Sequence, residues 1–474
     1  MNSAQTGMCF RLGFFSYLYL FLSDIDVGAI YMYYWRILLL LLVFMLPIRL
    51  PLVQAAAANQ ADLYFLSALV SMASYSDELD LTARDWLEGA GWTFESYETV
   101  SPAAEGRFHL VHRVLSSGSK MYVLAFPGTE RLNDAKVDLR LSRVPFGGST
   151  PVEFQKFAGL QDIPVGTPRV HRGFNDYTSA ALFQEPLKAF GGQTAGERIA
   201  QELKLHPEER LYLTGHSLGG AAATLAAARL ADMGVAPDQL QVVTFGAPAV
   251  GDKSFARHYH SRMNLTRIVI DGDPVKSVLQ SMSGRFAQFG ATVKWAENRN
   301  SERFAHDMTV YLDQALRNYY DTKNVAQSKD TELLTGNVKK KTAGIYVAPF
   351  AIQLDPHIES DLPYMKASLK EALATGYTNI AFAPATAASD TIDDLCHQAA
   401  SQGMNYLLIE RFQGVRIKNE SYNFRLQMDE ELYDIHGNLI TMQSTSTTAR
   451  NLTPIEGMLY LQYAGSEQRG KYIH

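Results

Sequence analysis

Leu211 to Ala227 reads LYLTGHSLGGAAATLAA, and the reading of this stretch decides the fold. A bulky, strand-like run (LYLT) meets glycines at 215, 219 and 220, then an alanine-rich run that continues to Met233. The pattern is strand, tight turn, helix. Gly215-His216-Ser217-Leu218-Gly219 fits G-x-S-x-G; alone, such a match turns up roughly 0.2 times by chance in a chain of this length. Its position between strand and helix gives it weight, because a nucleophilic serine is presented on such a strained turn. The glycines remove side chains where strand and helix converge, and the alanines let the helix lie close on the sheet.

Outward from this stretch, short apolar runs alternate with longer helical ones. MYVLAF (121–126), LQVVTFG (240–246) and TRIVI (266–270) read as strands; 194–205 and 218–233 read as helices. Non-alternating apolar strands separated by helices predict an α/β domain with a mainly parallel sheet. Its ligand site is then expected beyond the carboxyl ends of the strands.

A serine hydroxyl needs a base, and the base needs a carboxylate to hold its tautomer. Behind such an elbow the partners follow in the order carboxylate, then histidine. Asp252, Asp271 and Asp273 are the candidate carboxylates. Gly272 breaks the strand and Pro274 holds Asp273 away from helical geometry, which favours Asp273. His306 is the only histidine between Asp273 and the polar stretch 322–343, whereas His258 and His260 come too early. An oxyanion would be met by the backbone N–H of Leu218 and by a second donor from a loop after an early strand. Phe126-Pro127-Gly128-Thr129 stands there, with Thr129 offering an N–H and a hydroxyl.

Six blocks in order carry a resemblance: AFPGTERLNDAKVDL (125–139), VHRGFNDY (170–177), LTGHSLGGAAATLAA (213–227), VVTFGAPAVGD (242–252), RIVIDGDPVKSV (267–278) and FAHDMTVYL (304–312). Together they resemble the fungal-type, or class 3, lipase family of α/β-hydrolases, which contains triacylglycerol lipases, phospholipases A1 and feruloyl esterases. The resemblance covers about 60–325. It implies Ser217 as nucleophile, Asp273 as orienting acid, His306 as base, and Thr129 with Leu218 as oxyanion hole. It implies an ester or lipid substrate, contact with a lipid interface, and neither cofactor nor metal. Two positions depart from the family: Pro127 stands where arginine is usual, and Lys276 replaces a proline. The segment matching the family's lid, 131–143, alternates charges with Leu132, Val137, Leu139 and Leu141.

Composition is that of a globular protein, with 47% hydrophobic and 19% charged residues in 474. A net charge of −6 argues against nucleic acid as a partner. Cys9 and Cys396 are the only cysteines, so neither a disulfide framework nor a cysteine zinc site is available. Residues 1–58 read as a leader. Ile37 to Leu46, ILLLLLVFML, follows Arg36 and precedes an alanine run. Such a core spans about 15 Å as a helix, half of a ~30 Å bilayer core, and matches a cleaved export signal that starts at Met32 or, since Phe14 to Leu22 is also apolar, belongs to a longer leader from Met1. The expected location is secreted, periplasmic or cell envelope.

The hydrolase-like domain is thus expected over 59–325, followed by a linker at 326–343 that carries Lys339-Lys340-Lys341. Residues 344–474 form the second block. GIYVAPFAI (344–352), NIAFAP (379–384), YLLIERFQGVRI (406–417) and two strands around a turn at Asp434–Asn438 predict a small α+β domain with its own core. Its pattern resembles small envelope-assembly domains such as the TolB amino-terminal domain. If that block is independent, a chain ended near Asp330 folds alone. The rival reading is a catalytically silent hydrolase fold that binds the envelope through this second block.

Overall fold

The computed structural model describes residues 60–75, 78–100, 105–115, 118–128, 142–275, 285–296, 304–326, 341–418, 423–449 and 452–473. Two helices, α1 (60–72) and α2 (Glu78–Gly89), precede an antiparallel meander of β1 (Thr93–Val100), β2 (Glu105–Val114) and β3 (Lys120–Phe126). An excursion follows: β4 (Arg143–Pro145) pairs with β5 (Arg169–His171) around helix α3 (Pro151–Ala158), and α4 (Arg172–Ser179) leads to the short pair β6 (Pro186–Leu187) and β7 (Gln193–Thr194).

The parallel part of the sheet comes next. Helix α5 (Ala195–Leu205) opens with a capping box in which Thr194 and Glu197 satisfy each other's backbone N–H groups. Strand β8 (Arg210–His216), helix α6 (Leu218–Asp232), β9 (Leu240–Phe245), α7 (Lys253–Tyr259), β10 (Asn264–Ile270), β11 (Ala291–Trp295) and α8 (Met308–Ala326) complete the unit. The sheet order is β1-β2-β3-β8-β9-β10-β11, parallel from β3 onward. This is the mainly parallel α/β sheet expected from the spacing of the apolar runs, in the α/β-hydrolase arrangement that the resemblance implies. Residues 219–231 of α6 are all buried; they are apolar and alanine-rich apart from Thr224 and Arg229, whose guanidinium donates to Gly147 O and Asn175 Oδ1.

The second block builds its own sheet. Strands β12 (Lys341–Val347), β13 (Ala351–Leu354), β14 (Tyr377–Phe382), β15 (Tyr406–Arg416), β16 (Phe424–Asp434) and β17 (Leu439–Thr448) alternate with α9 (Leu362–Gly376) and α10 (Ile392–Ser401), and α11 (Pro454–Arg469) closes the chain. The order is β14-β12-β15-β16-β17, with β13 also paired to β15. The expected turn at Asp434–Asn438 is present: Asp434 Oδ1 accepts from the N–H groups of His436 and Asn438. Strand β12 starts at Lys341, inside the expected linker, and residues 327–340 lie outside the described residues.

Two apolar clusters belong to this block alone, around Tyr346, Leu395 and Leu407, and around Ile345, Leu373 and Leu432. A third is shared. Phe65, Leu69, Trp86, Leu312 and Leu316 pack in one cluster with Met365, Leu369, Phe412, Met428, Ile455 and Leu459. Polar contacts line the same seam. Arg317 on α8 sits between Asp313 (2.6 Å) and Asp361 (2.9 Å), and Glu371 on α9 accepts from the hydroxyls of Tyr319 (2.8 Å) and Tyr320 (2.9 Å).

The shared cluster reverses the expectation for a chain ended near Asp330. Each large apolar side chain uncovered costs roughly 1.5–3 kcal/mol, and five of them approach or exceed the ~5–15 kcal/mol that holds a domain. The shortened chain is expected to lose its near-ultraviolet circular dichroism and to bind a hydrophobic dye. A soluble product with native near-ultraviolet signal would show that the seam is dispensable.

Candidate active site

The site lies at the carboxyl ends of β8 and β10. Ser217 caps β8 with φ 55° and ψ −121°, and among the described residues it alone has a positive φ without being glycine. The turn is held because Ser217 N–H donates to Phe245 O at 3.0 Å, tying it to the end of β9. Gly219 makes the close approach possible: a Cβ there would run into the Phe126 carbonyl at the end of β3. Ser217 and Leu218 are half-buried and reachable, and Leu218 is the first residue of α6. Its N–H belongs to the unpaired first turn, whose partial positive charge faces the serine.

His306 Nε2 lies 2.9 Å from Ser217 Oγ, and His306 Nδ1 lies 2.9 Å from Asp273 Oδ2. His306 is 1% exposed and Asp273 2%, so the relay from carboxylate to serine is sealed from water up to the hydroxyl. Asp273 Oδ2 also accepts from the Tyr311 hydroxyl at 2.6 Å, and Oδ1 accepts from Val275 N–H at 2.8 Å. Burial alone would raise the Asp273 pKa. The His306 hydrogen bond and charge, with Tyr311 and Val275, outweigh it and hold the carboxyl below its ordinary value. Burial and the neighbouring carboxylate push the Tyr311 phenol up, so it remains a donor. Gly246, with φ +56°, makes room here: a Cβ would stand 2.7 Å from Asp273 Oδ2 and 3.0 Å from His306 Nδ1.

The other candidates fall elsewhere. Asp252 caps α7, accepting from Phe255 N–H at 2.9 Å, and lies 3.7 Å from Arg143. Asp271 is exposed, with its N–H on Trp295 O. His258 touches Arg262 at 2.8 Å, and His260 is exposed. Thr129 and most of the lid-like segment, 131–141, lie outside the described residues, as does the leader 1–58.

Sequence reading did not single out Tyr311, His216 or Tyr75. Tyr311 follows His306 by five residues, inside the quoted FAHDMTVYL block, so its place on the first turn of α8 was legible in principle. His216 is buried beneath the serine turn, its ring 4.5 Å from that of His306. Burial, and then the charge His306 can carry, lower its pKa well below the ordinary histidine value, so it stays neutral. Its Nδ1 meets the Tyr75 hydroxyl at 2.7 Å, and that hydroxyl also presses on Gly128, where a Cβ would collide with it. Tyr75 thereby packs against the loop that carries Pro127 and Gly128. It is carried there by α1, whose Ser71 hydroxyl meets that of Thr214 on β8 at 2.9 Å.

Residues 123–281 match the model of the family described as Lipase (class 3). The chain is 29% identical over 211 residues to phospholipase A1-II 3 of rice, Oryza sativa, covering 41% of this chain and 46% of that one. It is 34% identical over 103 residues to toxin TseL of Vibrio cholerae (22% of this chain, 14% of the toxin). To a lipase of Rhizomucor miehei it is 34% identical over 122 residues, 24% of this chain and 31% of that protein. Lipase II from Rhizopus niveus, a solved structure, aligns with a TM-score of 0.37 at 20% identity over 52% of this chain and 83% of its own. The chain thus spans less than half the length of these curated relatives. The span that matches the class 3 lipase model contains the serine turn, β9, β10 and Asp273.

Proposed function

We propose that the chain is an exported serine acyl hydrolase that cleaves carboxylic esters of lipids. The observation that carries this reading is the unbroken series Asp273–His306–Ser217, with both contacts at 2.9 Å and the serine on a strained, reachable turn. In it Ser217 Oγ attacks the ester carbonyl while His306 Nε2 takes its proton. Asp273 keeps the other proton on His306 Nδ1 and offsets the imidazolium charge. The Leu218 N–H and Thr129 meet the oxyanion. His306 then protonates the leaving alcohol, and water repeats the sequence on the acyl-enzyme. Buried, neutral His216 adds no competing positive charge beside His306.

The likeness to a phospholipase A1 and to fungal lipases supports lipid esters as the substrate class. Purified protein incubated with p-nitrophenyl esters of graded chain length, and with phospholipid vesicles, tests this. Release of fatty acid from the vesicles is expected; turnover restricted to acetyl and butyryl esters would reduce the reading to a short-chain esterase. The arginine-flanked apolar core at 37–46 supports export. Native protein should begin near Ala56 to Asn59, and a mature chain that retains Ile37 to Leu46 would oppose it.

Tyr311 is expected to matter through Asp273. A folded-state pKa below the ordinary value means that the carboxylate's stabilising contribution is present above the unfolded pKa and is lost as pH falls through the folded one. Tyr311→Phe removes one donor, so the Asp273 pKa rises and the acid limb of the kcat profile moves to higher pH. A hydrogen bond to a charged group is worth ~1.5–3 kcal/mol, of which part reaches the transition state, so kcat should fall roughly tenfold with KM unchanged. An acid limb that stays in place would remove Tyr311 from the relay.

A further inference from the structure

We propose that β17 is the docking edge for a second copy of this chain, joined antiparallel so that the two C-terminal sheets become one. The inference is independent of which ester the active site takes.

β17 ends its sheet, and among the described residues only β16 pairs with it. Its sequence, LITMQSTSTT, contains no charge, proline or glycine in ten residues. Soluble proteins usually blunt an edge of this length with a lysine, a proline, a short strand or a cover, since its unpaired N–H and C=O groups invite another strand. The opposite edge, β14, is shorter, six residues from Tyr377 to Phe382. β17 has one irregularity, a register shift at Ile440 between the pairs Tyr433–Leu439 and Leu432–Thr441. Residues 441–448 beyond it form a regular strand.

The composition of that strand argues for its own copy as the occupant. In an antiparallel pair related by a two-fold axis, facing residues must lie on the same side of the sheet, so the axis passes through a residue. With the axis at Ser444, Met442 faces Ser446, Thr441 faces Thr447, Gln443 faces Thr445, and Ser444 faces itself. Every facing pair is neutral, so no like charges oppose each other, and hydroxyl pairs across strands are favourable. Met442 is 65% exposed and would be covered by the partner strand. A charged peptide would find no complementary charge on this strand, which is why the second copy is the better fit. The inner side is already in use: Gln443 Nε2 donates to Glu430 Oε1 (2.7 Å) and to Gly465 O (3.2 Å), fastening β17 beneath α11. Only the edge and the outer side remain.

Sedimentation velocity of the full mature chain over a concentration series tests this, together with two variants at the axis. Ser444 lies on the outer side, where Gln427 Nε2 reaches its hydroxyl at 3.3 Å and Asp429 is its β16 partner, so a lysine there is accommodated within one copy. Wild type is expected to show concentration-dependent dimer. Ser444→Lys, which sets two ammonium groups face to face, should be monomeric, with unchanged melting temperature and ester turnover. Ser444→Cys should form a disulfide-linked dimer on mild oxidation, and buried Cys396 should not contribute to it. A wild type that stays monomeric up to about 100 µM, well above the Kd of a micromolar pair, would overturn the proposal. So would a Ser444→Lys variant that dimerises as wild type does, or a Ser444→Cys variant that fails to cross-link.

Discussion

Replacing Ser217 with alanine is expected to abolish ester turnover and covalent labelling by a fluorophosphonate, while the protein melts at the wild-type temperature. Among the described residues, the serine carries the only oxygen that both meets His306 Nε2, at 2.9 Å, and stands on a reachable turn. Losing a triad nucleophile typically lowers kcat by about 10⁴–10⁶, since the acyl-enzyme route closes and only water attack remains. Alanine keeps the Cβ, so the backbone strain at φ 55° changes little, and the space left by Oγ is wide enough for a water to meet His306 Nε2 while Nδ1 stays on Asp273. The probe gives a sharper reading than turnover, because it reports the serine directly. A second Ser–His contact provides the control: Ser96 Oγ lies 2.9 Å from His109 Nδ1. Burial, then the charge of Arg84, lower the His109 pKa to about 4, which makes it a poor base, and cationic neighbours cannot stabilise an imidazolium. Ser96→Ala should therefore leave labelling intact. Labelling that persists in Ser217→Ala would remove Ser217 as the nucleophile.

The parts of the fold that could be read in the sequence are those whose residues act locally. LYLT, LQVVTF and TRIVI are apolar on both faces because helices cover both sides of the parallel strands, and that is visible residue by residue. The elbow was legible for the same reason: three glycines and a serine within six residues leave few other geometries. The β1–β2 hairpin escaped because TFESYETV carries charged and apolar residues at an exposed, twisted edge, with no run of apolar residues to mark it. Helix α11 escaped because its buried residues, Pro454 through Leu459 with Leu461, Gln462, Gly465 and Arg469, surround the axis and leave no amphipathic stripe. The shared core was hidden by distance. Phe65 and Met365 belong to one cluster although 300 positions separate them, and the polar stretch 322–343 reads locally as a boundary. Tyr75 was out of reach on the same ground, since its partner His216 lies 141 positions away. Among the three carboxylates the turn chemistry pointed to the one that meets His306, because Gly272 and Pro274 shape the backbone within two residues of it.

That carboxylate bears the second large effect: Asp273→Asn is expected to lower kcat by about 10⁴ with little loss of folding. The direction follows from which atoms need which partners. Oδ1 of Asp273 accepts from Val275 N–H at 2.8 Å, and Oδ2 accepts from both His306 Nδ1 and the Tyr311 hydroxyl. An asparagine has one oxygen. Turning its amide nitrogen toward the Val275 N–H would set two buried donors against each other, a penalty of ~1–3 kcal/mol. The oxygen therefore stays on Val275 and the NH₂ group points at His306 Nδ1. The imidazole answers by moving its proton to Nε2, the nitrogen that must accept from Ser217. The hydroxyl turns to meet the new donor and loses its base, while the packing around Asp273 keeps its shape. Tyr311 adapts by rotating its hydroxyl to accept, so the substitution should be tolerated structurally. Asp271→Asn changes an exposed residue, and Asp252→Asn keeps a competent helix cap; each should cost less than tenfold. Measuring kcat and melting temperature for the three variants separates the cases. If Asp271→Asn is crippled while Asp273→Asn turns over normally, the relay through Asp273 is wrong. If Asp273→Asn is inactive only because it unfolds, the tautomer argument fails, and a native melting temperature beside the lost activity is the result that sustains it.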